Sequence, residues 1–464
     1  MNLDMTHKIY KISFFVVLSV IALIIFGFFY YTLIGVDSGT YLSMAKEFYK
    51  GKIYFQEIGT NYNPLAIIIM GIPFLFENEP SYYWHYIIHL LTMISSTIVF
   101  YKILCQISKN QNQNLFYSSF FLLGSLFLDG RYILLEPLSV FFQLLVVNLY
   151  LKSNHLRQFF LIGIFICLAF LSKQFGLFIL APIGIDILVR KENAIKKIVL
   201  IGIGMLIPLI VFYIYLSQID LSVEQFVYFI LGQGNNLDVG TGTGKDFVLL
   251  DFIKAPLYFL MQHLYLLLIP ILIFKNSKIL NNHFYFLSLL VLSSLLVLYF
   301  AVYSHYFQYV LPYALLLFVY LVNYNKNKRL EKISFSLFVL SFFVISIIST
   351  ISFTRKKNQV ITQRDGAKII TSYIKPNSEV YLDGISPAYY YICNLQSINL
   401  KDISFTFPGY YYPKTIFNNL KDGSYIIIAE NRYKLYEQFL KNQTVKEFIV
   451  DNKKYYVVNI KKTH

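Results

Sequence analysis

A run of 23 uncharged residues at positions 12–34 constrains this chain more than any other feature. In a helix that rises 1.5 Å per residue, such a run is long enough to cross a hydrocarbon layer of about 30 Å. The whole chain has the same character, since 56% of its residues are hydrophobic, 14% are charged and the mean hydropathy is +0.55. This composition is typical of a polytopic membrane protein and excludes a soluble enzyme.

Apolar runs predict eleven membrane-spanning helices. They lie near residues 12–34, 83–104, 115–129, 134–151, 158–172, 175–189, 198–216, 255–274, 284–303, 306–323 and 333–353. The first run lacks a small-residue cleavage site, so we interpret it as a retained helix and not as a signal peptide. The predicted fold class is therefore a polytopic α-helical membrane protein with about eleven transmembrane helices.

The formal net charge of +15 comes largely from cations that lie in the predicted cytoplasmic segments. We therefore do not expect nucleic acid to be a partner. With a cytoplasmic N terminus, the inner segments carry these cations: Lys8, Lys11, Lys109, Lys152, Arg157, Arg190, Lys191, Lys196, Lys197, Lys275, Lys278, Lys326, Lys328, Arg329 and Lys332. This distribution obeys the positive-inside rule. Frequent Lys, Ile, Asn, Tyr and Phe, without a recognisable organellar targeting signal, indicate a bacterial inner membrane.

Beyond residue 354 the sequence changes to short alternating segments separated by turn residues. Helical patterns in GAKIITSYIK and SPAYYYICNL flank a strand pattern, SEVYLDG, and a second strand pattern, GSYIIIAEN, precedes an amphipathic helix and two more strands. We predict that residues 354–464 form a small α/β domain, and that residues 1–353 form the transmembrane module. An odd number of spans places this domain outside the cytoplasm.

Asp37 opens the first outer loop, residues 35–82, directly after the first apolar run. The loop is too long for a simple connector. Its pattern predicts two surface helices, one at residues 40–49 that ends before Gly51 and one at residues 64–76 that begins with Pro64. An acidic residue at this place is either a solvated helix cap or a functional group, and the residues alone leave both interpretations open.

The pattern D-x-x-x-Y-x-x-x-A, followed by a glycine and a Pro-Leu pair, resembles the first outer loop of the GT-C membrane glycosyltransferases. The similar branch holds the protein O-mannosyltransferases and the lipid A aminoarabinose transferases. The residues that carry the resemblance are Asp37, Tyr41, Ala45, Gly51, Asn63, Pro64, Leu65, Arg131, Glu136, Pro137, Ser172, Lys173, Gln174, His305, Tyr306 and Pro312. The chain departs from the family at Tyr62-Asn63-Pro64, where a basic residue often precedes a Pro-Pro pair.

The resemblance implies an activity as well as a fold. In such enzymes a sugar linked to polyprenyl phosphate is transferred, with inversion of its anomeric carbon, to a glycan, lipid or protein acceptor outside the cytoplasm. Asp37 is then the catalytic general base, and cations hold the departing phosphate. Tyr41, Tyr62 and Asn63 are the candidate substrate-contacting residues of loop one.

Five further residues are candidates for the same site. Glu136 is a second catalytic carboxylate or an acidic helix start, and its closeness to Arg131 allows an ion pair or a split role in which Arg131 faces phosphate. Lys173 contacts lipid phosphate at membrane depth, or snorkels from a short outer turn. His305 donates to phosphate or ends a helix. Tyr306 is assigned to the donor phosphate, although such tyrosines also mark the interfacial aromatic belt.

Other functional interpretations are less well supported. The segment GTGTGKD at residues 240–246 fails the phosphate-loop pattern, because Val239 stands where the first glycine belongs and Asp246 replaces Ser or Thr. The outer acids are dispersed, so we predict no metal and no other cofactor, although a divalent ion is compatible with the family. A polysaccharide polymerase and a transporter remain as alternative functions. The first is expected to use more outer arginines, and the second to show internal repeats.

Overall fold

The computed structural model describes residues 12, 14, 16–21, 34–58, 62–152, 155–227, 249–274, 281–300, 303–325, 328–397, 413–450 and 453–462. Most of these residues are helical, and a small sheet lies near the C terminus. Of the predicted first span, residues 12, 14 and 16–21 are described and helical. Most of its remainder and the segment GTGTGKD lie outside the described residues.

The described helices before the sheet follow one another in this order: α1 (Val36–Tyr49), α2 (Pro64–Met70), α3 (Tyr82–Ile107), α4 (Gln111–Ser125), α5 (Glu136–Leu151), α6 (Arg157–Ser172), α7 (Leu180–Arg190), α8 (Ala194–Gln218), α9 (Val223–Val227), α10 (Leu249–Gln262), α11 (Leu268–Phe274), α12 (Asn282–Leu295), α13 (Val297–Phe300), α14 (Phe307–Tyr324) and α15 (Lys328–Tyr373). A π-helical turn, Leu126–Gly130, follows α4. Short 3-10 turns follow α2 at Ile72–Leu75 and precede α7, α11 and α14 at Gln174–Ile179, Leu264–Leu267 and Ser304–Tyr306.

Three described helices are long and apolar enough to cross a membrane: Tyr82–Ile107, Ala194–Gln218 and Ser304–Tyr324. A fourth candidate is the pair Ile253–Gln262 and Leu264–Phe274, which is bent by 101°. The predicted span 255–274 is therefore not a straight helix, because the backbone turns at His263, where polar residues interrupt the apolar run. The total of eleven spans stays a prediction.

Two helices illustrate how the membrane module packs. In α14 the apolar window is 83% buried, so this helix lies at the centre, whereas in α8 the window is only 11% buried and its apolar side chains point outward. Outward apolar side chains are expected where a helix faces lipid. On its inner side α8 packs closely against α6 through Gly163 of α6 and Gly204 of α8. A Cβ atom on either glycine would lie only 2.0 Å from a backbone carbonyl oxygen of the other helix.

Helix α15 crosses the predicted domain boundary at residue 353. It continues without interruption to Tyr373, inside the segment that was assigned to the C-terminal domain. Residues 354–365 contain neither proline nor glycine and are rich in Lys, Arg and Gln, which favour helix. The change from apolar to polar sequence therefore marks the end of an apolar stretch and not the end of the helix.

The C-terminal sheet has the strand order β2-β1-β3-β5-β4. The strands are β1 (Glu379–Asp383), β2 (Gln396–Ser397), β3 (Tyr425–Ala429), β4 (Thr444–Val450) and β5 (Lys453–Asn459), and the helices α16 (Ala388–Ile392), α17 (Pro413–Asn419) and α18 (Glu430–Leu440) lie between them. Strand β1 is parallel to β2 and β3, and β5 is antiparallel to β3 and β4. The four longer strands are those predicted from the alternating segments.

The two predicted loop-one helices are present as α1 and α2, with different bounds: α1 begins four residues earlier than predicted, at Val36, and α2 ends at Met70, after which Ile72–Leu75 form a 3-10 turn. Gly51 follows α1 with a φ of +93°, a left-handed conformation that favours glycine, and Pro64 opens α2. The expectation of a surface helix is wrong for α1, whose residues 38–47 are all buried. The C-terminal domain covers it, since apolar residues of loop one such as Tyr41 and Ala45 share one core cluster with Ile370 and Leu382.

Candidate active site

Asp37 lies in the first turn of α1, where the chain enters loop one. Gly35 precedes this helix, and a Cβ atom on it would lie 3.3 Å from the ring of Tyr132, so the position favours glycine. The next side chain, Ser38, donates a hydrogen bond of 3.1 Å to the carbonyl oxygen of Ile133. These contacts attach the start of α1 to the connection between α4 and α5.

The carboxyl group of Asp37 is partly buried and has charged neighbours. Burial raises the pKa of Asp37 above its usual value, because the ionised form loses hydration. Positive charge on His305 and Lys173 opposes this shift of the pKa, whereas negative charge on Glu136 and Asp129 adds to it. Asp37 therefore belongs to a charged cluster that four separate parts of the chain build together.

Glu136 and Lys173 form the buried ion pair of this cluster. Lys173 Nζ donates a hydrogen bond of 2.7 Å to Glu136 Oε1, and the two side chains are 2% and 0% exposed. His305 Nε2 lies 3.8 Å from the same oxygen. Lys173 thus does not snorkel to the surface, and Glu136 both begins α5 and neutralises a buried cation. Within the described part of the chain, Glu136 Oε2 has no hydrogen-bond partner.

Tyrosine rings surround the ammonium group of Lys173. Its Nζ atom lies 5.2 Å from the ring centroid of Tyr62 and 5.4 Å from that of Tyr306. Tyr41 packs edge-on against Tyr62 with centroids 5.0 Å apart, and the rings of Tyr306 and His305 are 4.5 Å apart. Cation–π attraction at such distances stabilises a cation that has little water around it. Candidates from loop one and from the start of α14 thus meet at one lysine.

Asn63 links loop one to helix α6. Its side chain is buried, and its amide nitrogen donates a hydrogen bond to the carbonyl oxygen of Phe170, three residues before Lys173. The amide oxygen of Asn63 has no hydrogen-bond partner among the residues described by the structure. Asn63 therefore lies beside the site and holds two of its walls together.

Arg131 pairs with Asp129 and not with Glu136, the partner that its position in the sequence allowed. Its Nη2 atom lies 3.9 Å from Asp129 Oδ1, and its Cζ atom lies 5.3 Å from the ring centroid of Tyr132. Glu136 is paired with Lys173 instead, so the described residues contain no Arg131–Glu136 ion pair. The Arg131 side chain is 17% exposed, and in the described part of the molecule its Nε atom has no hydrogen-bond acceptor.

The turn at Leu126–Gly130 explains this pairing. Asp129 has a φ of +64°, a left-handed conformation that Asp adopts more readily than most residues. Side chains from α3 and from the region of α14 hold the turn: Ser304 donates a hydrogen bond to the Asp129 carboxylate, Gln308 donates to the carbonyl oxygen of Leu128 at 2.7 Å, and the ring of His89 donates to that of Gly130 at 2.8 Å. The turn places an acidic group beside Arg131.

Four residues of this arrangement were not among the candidate site residues selected from the sequence: Asp129, Ser304, Gln308 and His89. The Asp129-Gly130 pair was a usable signal, because it is a turn dipeptide that ends an apolar run. Ser304 adjoins His305, but an isolated serine carries no comparable signal. His89 lies inside an apolar helix, where its contact with a distant carbonyl group is not visible from the sequence.

The described residues contain no group of three or more His, Cys, Asp or Glu side chains arranged to hold a metal ion. The cationic side chains of the cluster are Lys173 and Arg131, and the His305 ring lies beside them. Catalysis without a metal ion stays a prediction, which is based on the dispersed acidic residues of the outer loops.

Comparison with known proteins relates this geometry to a family. Residues 8–230 match the model of the dolichyl-phosphate-mannose-protein mannosyltransferase family. ArnT from Cupriavidus metallidurans bound to undecaprenyl phosphate is 12% identical and aligns with 96% of this chain and 97% of its own, with a TM-score of 0.62. Its apo state is 13% identical over the same shares of both chains, with a TM-score of 0.50.

The Archaeoglobus fulgidus oligosaccharyltransferase, tethered with an acceptor peptide containing the NVT sequon, is also similar. It is 11% identical and aligns with 92% of this chain and 70% of its own, with a TM-score of 0.50. No curated protein matches the chain with significant sequence similarity. The resemblance expected from the loop residues is confirmed: this chain has the fold of the GT-C membrane glycosyltransferases, and its residues 8–230 match the dolichyl-phosphate-mannose-protein mannosyltransferase family model.

Proposed function

We propose that this protein is an inverting glycosyltransferase that moves a sugar from a polyprenyl-phosphate donor to an acceptor outside the cytoplasm. The observation that carries the proposal is the cluster around Asp37, in which one partly buried carboxyl group shares a site with Lys173 and His305. A base next to cations is the arrangement that such a transfer needs, because the nucleophile loses a proton while the leaving group gains negative charge.

The proposed reaction has one displacement step. The acceptor hydroxyl oxygen attacks the anomeric carbon of the sugar, and Asp37 takes the hydroxyl proton. The bond between the anomeric carbon and the phosphate oxygen breaks on the opposite face, and polyprenyl phosphate leaves with the bonding electron pair. The configuration at the anomeric carbon is therefore inverted.

We assign the departing phosphate to the cationic side of the cluster. Arg131 has an unengaged Nε atom in the described structure and a planar group suited to phosphate oxygens. His305 and Tyr306 lie in the 3-10 turn that precedes α14, next to the Glu136–Lys173 pair. Glu136 holds Lys173 in place, so we propose that Glu136 acts by positioning the cations and not as a second base.

The loop-one residues complete the proposed site. Tyr62 and Tyr41 form an aromatic wall on one side of Lys173, and Asn63 fixes this wall to α6. Aromatic walls exclude water, which strengthens electrostatic interactions within the site. They therefore suit a reaction in which a sugar phosphate must be transferred to an acceptor and not to water.

The cellular setting is part of the same proposal. We place the protein in a bacterial inner membrane, with its N terminus in the cytoplasm and the C-terminal domain outside. The solved relative that binds undecaprenyl phosphate supports a polyprenyl-phosphate carrier, and the relative tethered to an acceptor peptide supports an acceptor outside the cytoplasm. We expect a reaction without a metal ion, and full transfer in the presence of a chelator checks this expectation.

The direct test uses purified protein in lipid nanodiscs and a pool of polyprenyl-phosphate sugars labelled in the sugar. We expect label to move from the lipid to a water-soluble or membrane acceptor, with the product anomer opposite to that of the donor by NMR. Asp37→Asn is expected to lose this transfer. Asp220→Asn is its control, because Asp220 is exposed and has a left-handed backbone conformation, φ +49°, which Asn tolerates. Product of retained configuration, or no loss of label with any donor, would refute the proposal.

A further inference from the structure

The backbone just before Asp37 is held by a side chain from the far end of the chain. The Gln363 side chain, on α15, accepts a hydrogen bond from the backbone N–H of Ile34 at 3.1 Å and donates one to the backbone carbonyl of Ile34 at 2.9 Å. One amide group thus satisfies both backbone polar groups of a residue three positions before Asp37. Such a paired contact fixes the direction in which the chain leaves the first apolar run.

The backbone just after Asp37 is held by the C-terminal domain. A Cβ atom on Gly39 would lie 2.3 Å from Ala388 Cα and 2.6 Å from Ala388 Cβ, so α1 and α16 are in direct backbone contact there. Only glycine permits this approach without displacing one of the two helices. Gly39 lies two residues from both Asp37 and Tyr41. The contact with Ala388 therefore fixes the position and the rotation of the first turns of α1, which carry both side chains.

Helix α16 is itself firmly held on loop one. Tyr391, in α16, donates a hydrogen bond of 3.0 Å to the carbonyl oxygen of Pro80, and Lys46 of α1 donates to the side chain of Asn394. The segment that leads into α16 begins at Asp383, a fully buried residue that forms an ion pair of 2.5 Å with Arg432. The contact at Gly39 is therefore part of a fixed domain and not of a loose surface segment.

We propose that Gln363 and Ala388 are positioning residues that hold the Asp37 turn in its catalytic geometry, so that the C-terminal part of this chain completes the active site without touching substrate. This inference rests on the proposed role of Asp37 as general base. The inference assigns a function to the C-terminal domain, which lies outside the residues 8–230 that match the family model and whose strand pattern indicates no function. The effect on rate is expected to be large, because a misplacement of about 1 Å costs about 100-fold in rate.

The test compares Gln363→Met with Thr371→Val on the same helix. Gln363→Met keeps the side-chain volume and removes both hydrogen bonds to Ile34, whereas Thr371 is exposed and bonds only to carbonyl groups of its own helix. We expect Gln363→Met to lower kcat by about 10- to 100-fold with a nearly unchanged KM for the donor, since the donor contacts remain. Thr371→Val is expected to keep the wild-type kcat. Ala388→Gly is a second and milder variant, which removes one methyl group from the contact with Gly39, and we expect it to lower kcat in the same way.

A readout independent of turnover separates positioning from loss of folding. Labelling of Asp37 with a water-soluble carbodiimide, followed over pH by peptide mass analysis, reports the ionisation of its carboxyl group. Its charged neighbours His305, Lys173, Glu136 and Asp129 are unchanged in Gln363→Met and Ala388→Gly, so a released turn is expected to move the labelling midpoint toward the usual value for Asp. A variant that only unfolds gives labelling at many buried carboxyl groups at once.

The outcomes distinguish this inference from the proposed function. If Asp37→Asn abolishes transfer while Gln363→Met and Ala388→Gly keep both the wild-type kcat and the wild-type labelling midpoint, the positioning role is refuted and the proposed function stands. If Asp37→Asn retains full transfer, the role of Asp37 fails first and this inference fails with it. Reduced kcat together with a shifted labelling midpoint in folded protein supports the inference.

Discussion

The buried Glu136–Lys173 pair allows a quantitative prediction about stability. We consider Lys173→Met, Glu136→Gln and the double variant, which remove one charge, the other charge and both. The two side chains are 2% and 0% exposed, and their charged atoms are 2.7 Å apart. Each single variant leaves one charge in a site that water hardly reaches, whereas the double variant leaves none.

The magnitude follows from two opposing terms. At an effective dielectric constant of about 20, opposite charges 2.7 Å apart attract each other by about 6 kcal/mol. Removal of both ions from water costs several kcal/mol for each, so the pair as a whole contributes little to net stability. Loss of a single partner removes the attraction and keeps the cost of the remaining ion. We therefore expect each single variant to lose about 3–5 kcal/mol of unfolding free energy.

The double variant is expected to be more stable than either single variant, because no uncompensated charge remains. The measurement is equilibrium unfolding of the purified protein in mixed micelles titrated with SDS, for the wild type and the three variants. The resulting double-mutant cycle should give a coupling energy of at least about 3 kcal/mol. The folded double variant should still transfer sugar poorly, since it lacks the Lys173 cation.

Additive losses in the cycle, or single variants within about 0.5 kcal/mol of the wild type, would show that the two charges do not share one buried site. A double variant with wild-type transfer would separate the ion pair from catalysis.

Two further predictions concern pH and helix packing. Because burial raises the pKa of Asp37 and the base must be ionised, kcat/KM should fall as pH decreases through a midpoint above 3.8, and an acid limb at or below that value would contradict the assignment. Gly204→Ala should destabilise by about 1–3 kcal/mol, since its Cβ atom would lie 2.0 Å from the Phe160 carbonyl oxygen. Gly202→Ala, which meets open space, should be neutral or stabilising by up to about 1 kcal/mol, and equal effects in the same unfolding titration would refute the packing argument.

Local patterns predicted much of the fold. The alternating segments around Val380, Ile427 and Val457 gave the longer strands, and Gly51 and Pro64 marked the end of α1 and the start of α2. These elements depend on turn chemistry and on periodic burial, both of which short stretches of sequence carry. The two-residue strand at Gln396 was not predicted, because so short a strand has no period.

Features that depend on distant parts of the chain were less predictable. Asp129 takes the place beside Arg131 because a left-handed turn points it there, and this turn is held by side chains from other helices. The burial of α1 depends on a domain more than 300 residues away in sequence, which approaches at Gly39. Gln363 was not among the candidates, because a polar residue beyond the last apolar run carries no local signal of a distant contact. Such contacts are set by tertiary packing, which no local period encodes.

Two of the candidate side chains lie in direct contact, at a place where a buried charge requires a partner. A lysine at membrane depth needs a partner, and Lys173 has one in Glu136, another residue already selected from the sequence. The identity of that pair was not predicted, since sequence proximity favoured Arg131.

The central claim is that Asp37 accepts the proton of the acceptor in a transfer from polyprenyl-phosphate sugar. The measurement that tests it most directly is single-turnover transfer by Asp37→Asn in nanodiscs, with donor binding followed on the same sample and Asp220→Asn as the control. The account predicts that Asp37→Asn binds donor about as well as the wild type but transfers sugar at least about 100-fold more slowly. Transfer at the wild-type rate by folded Asp37→Asn would contradict it.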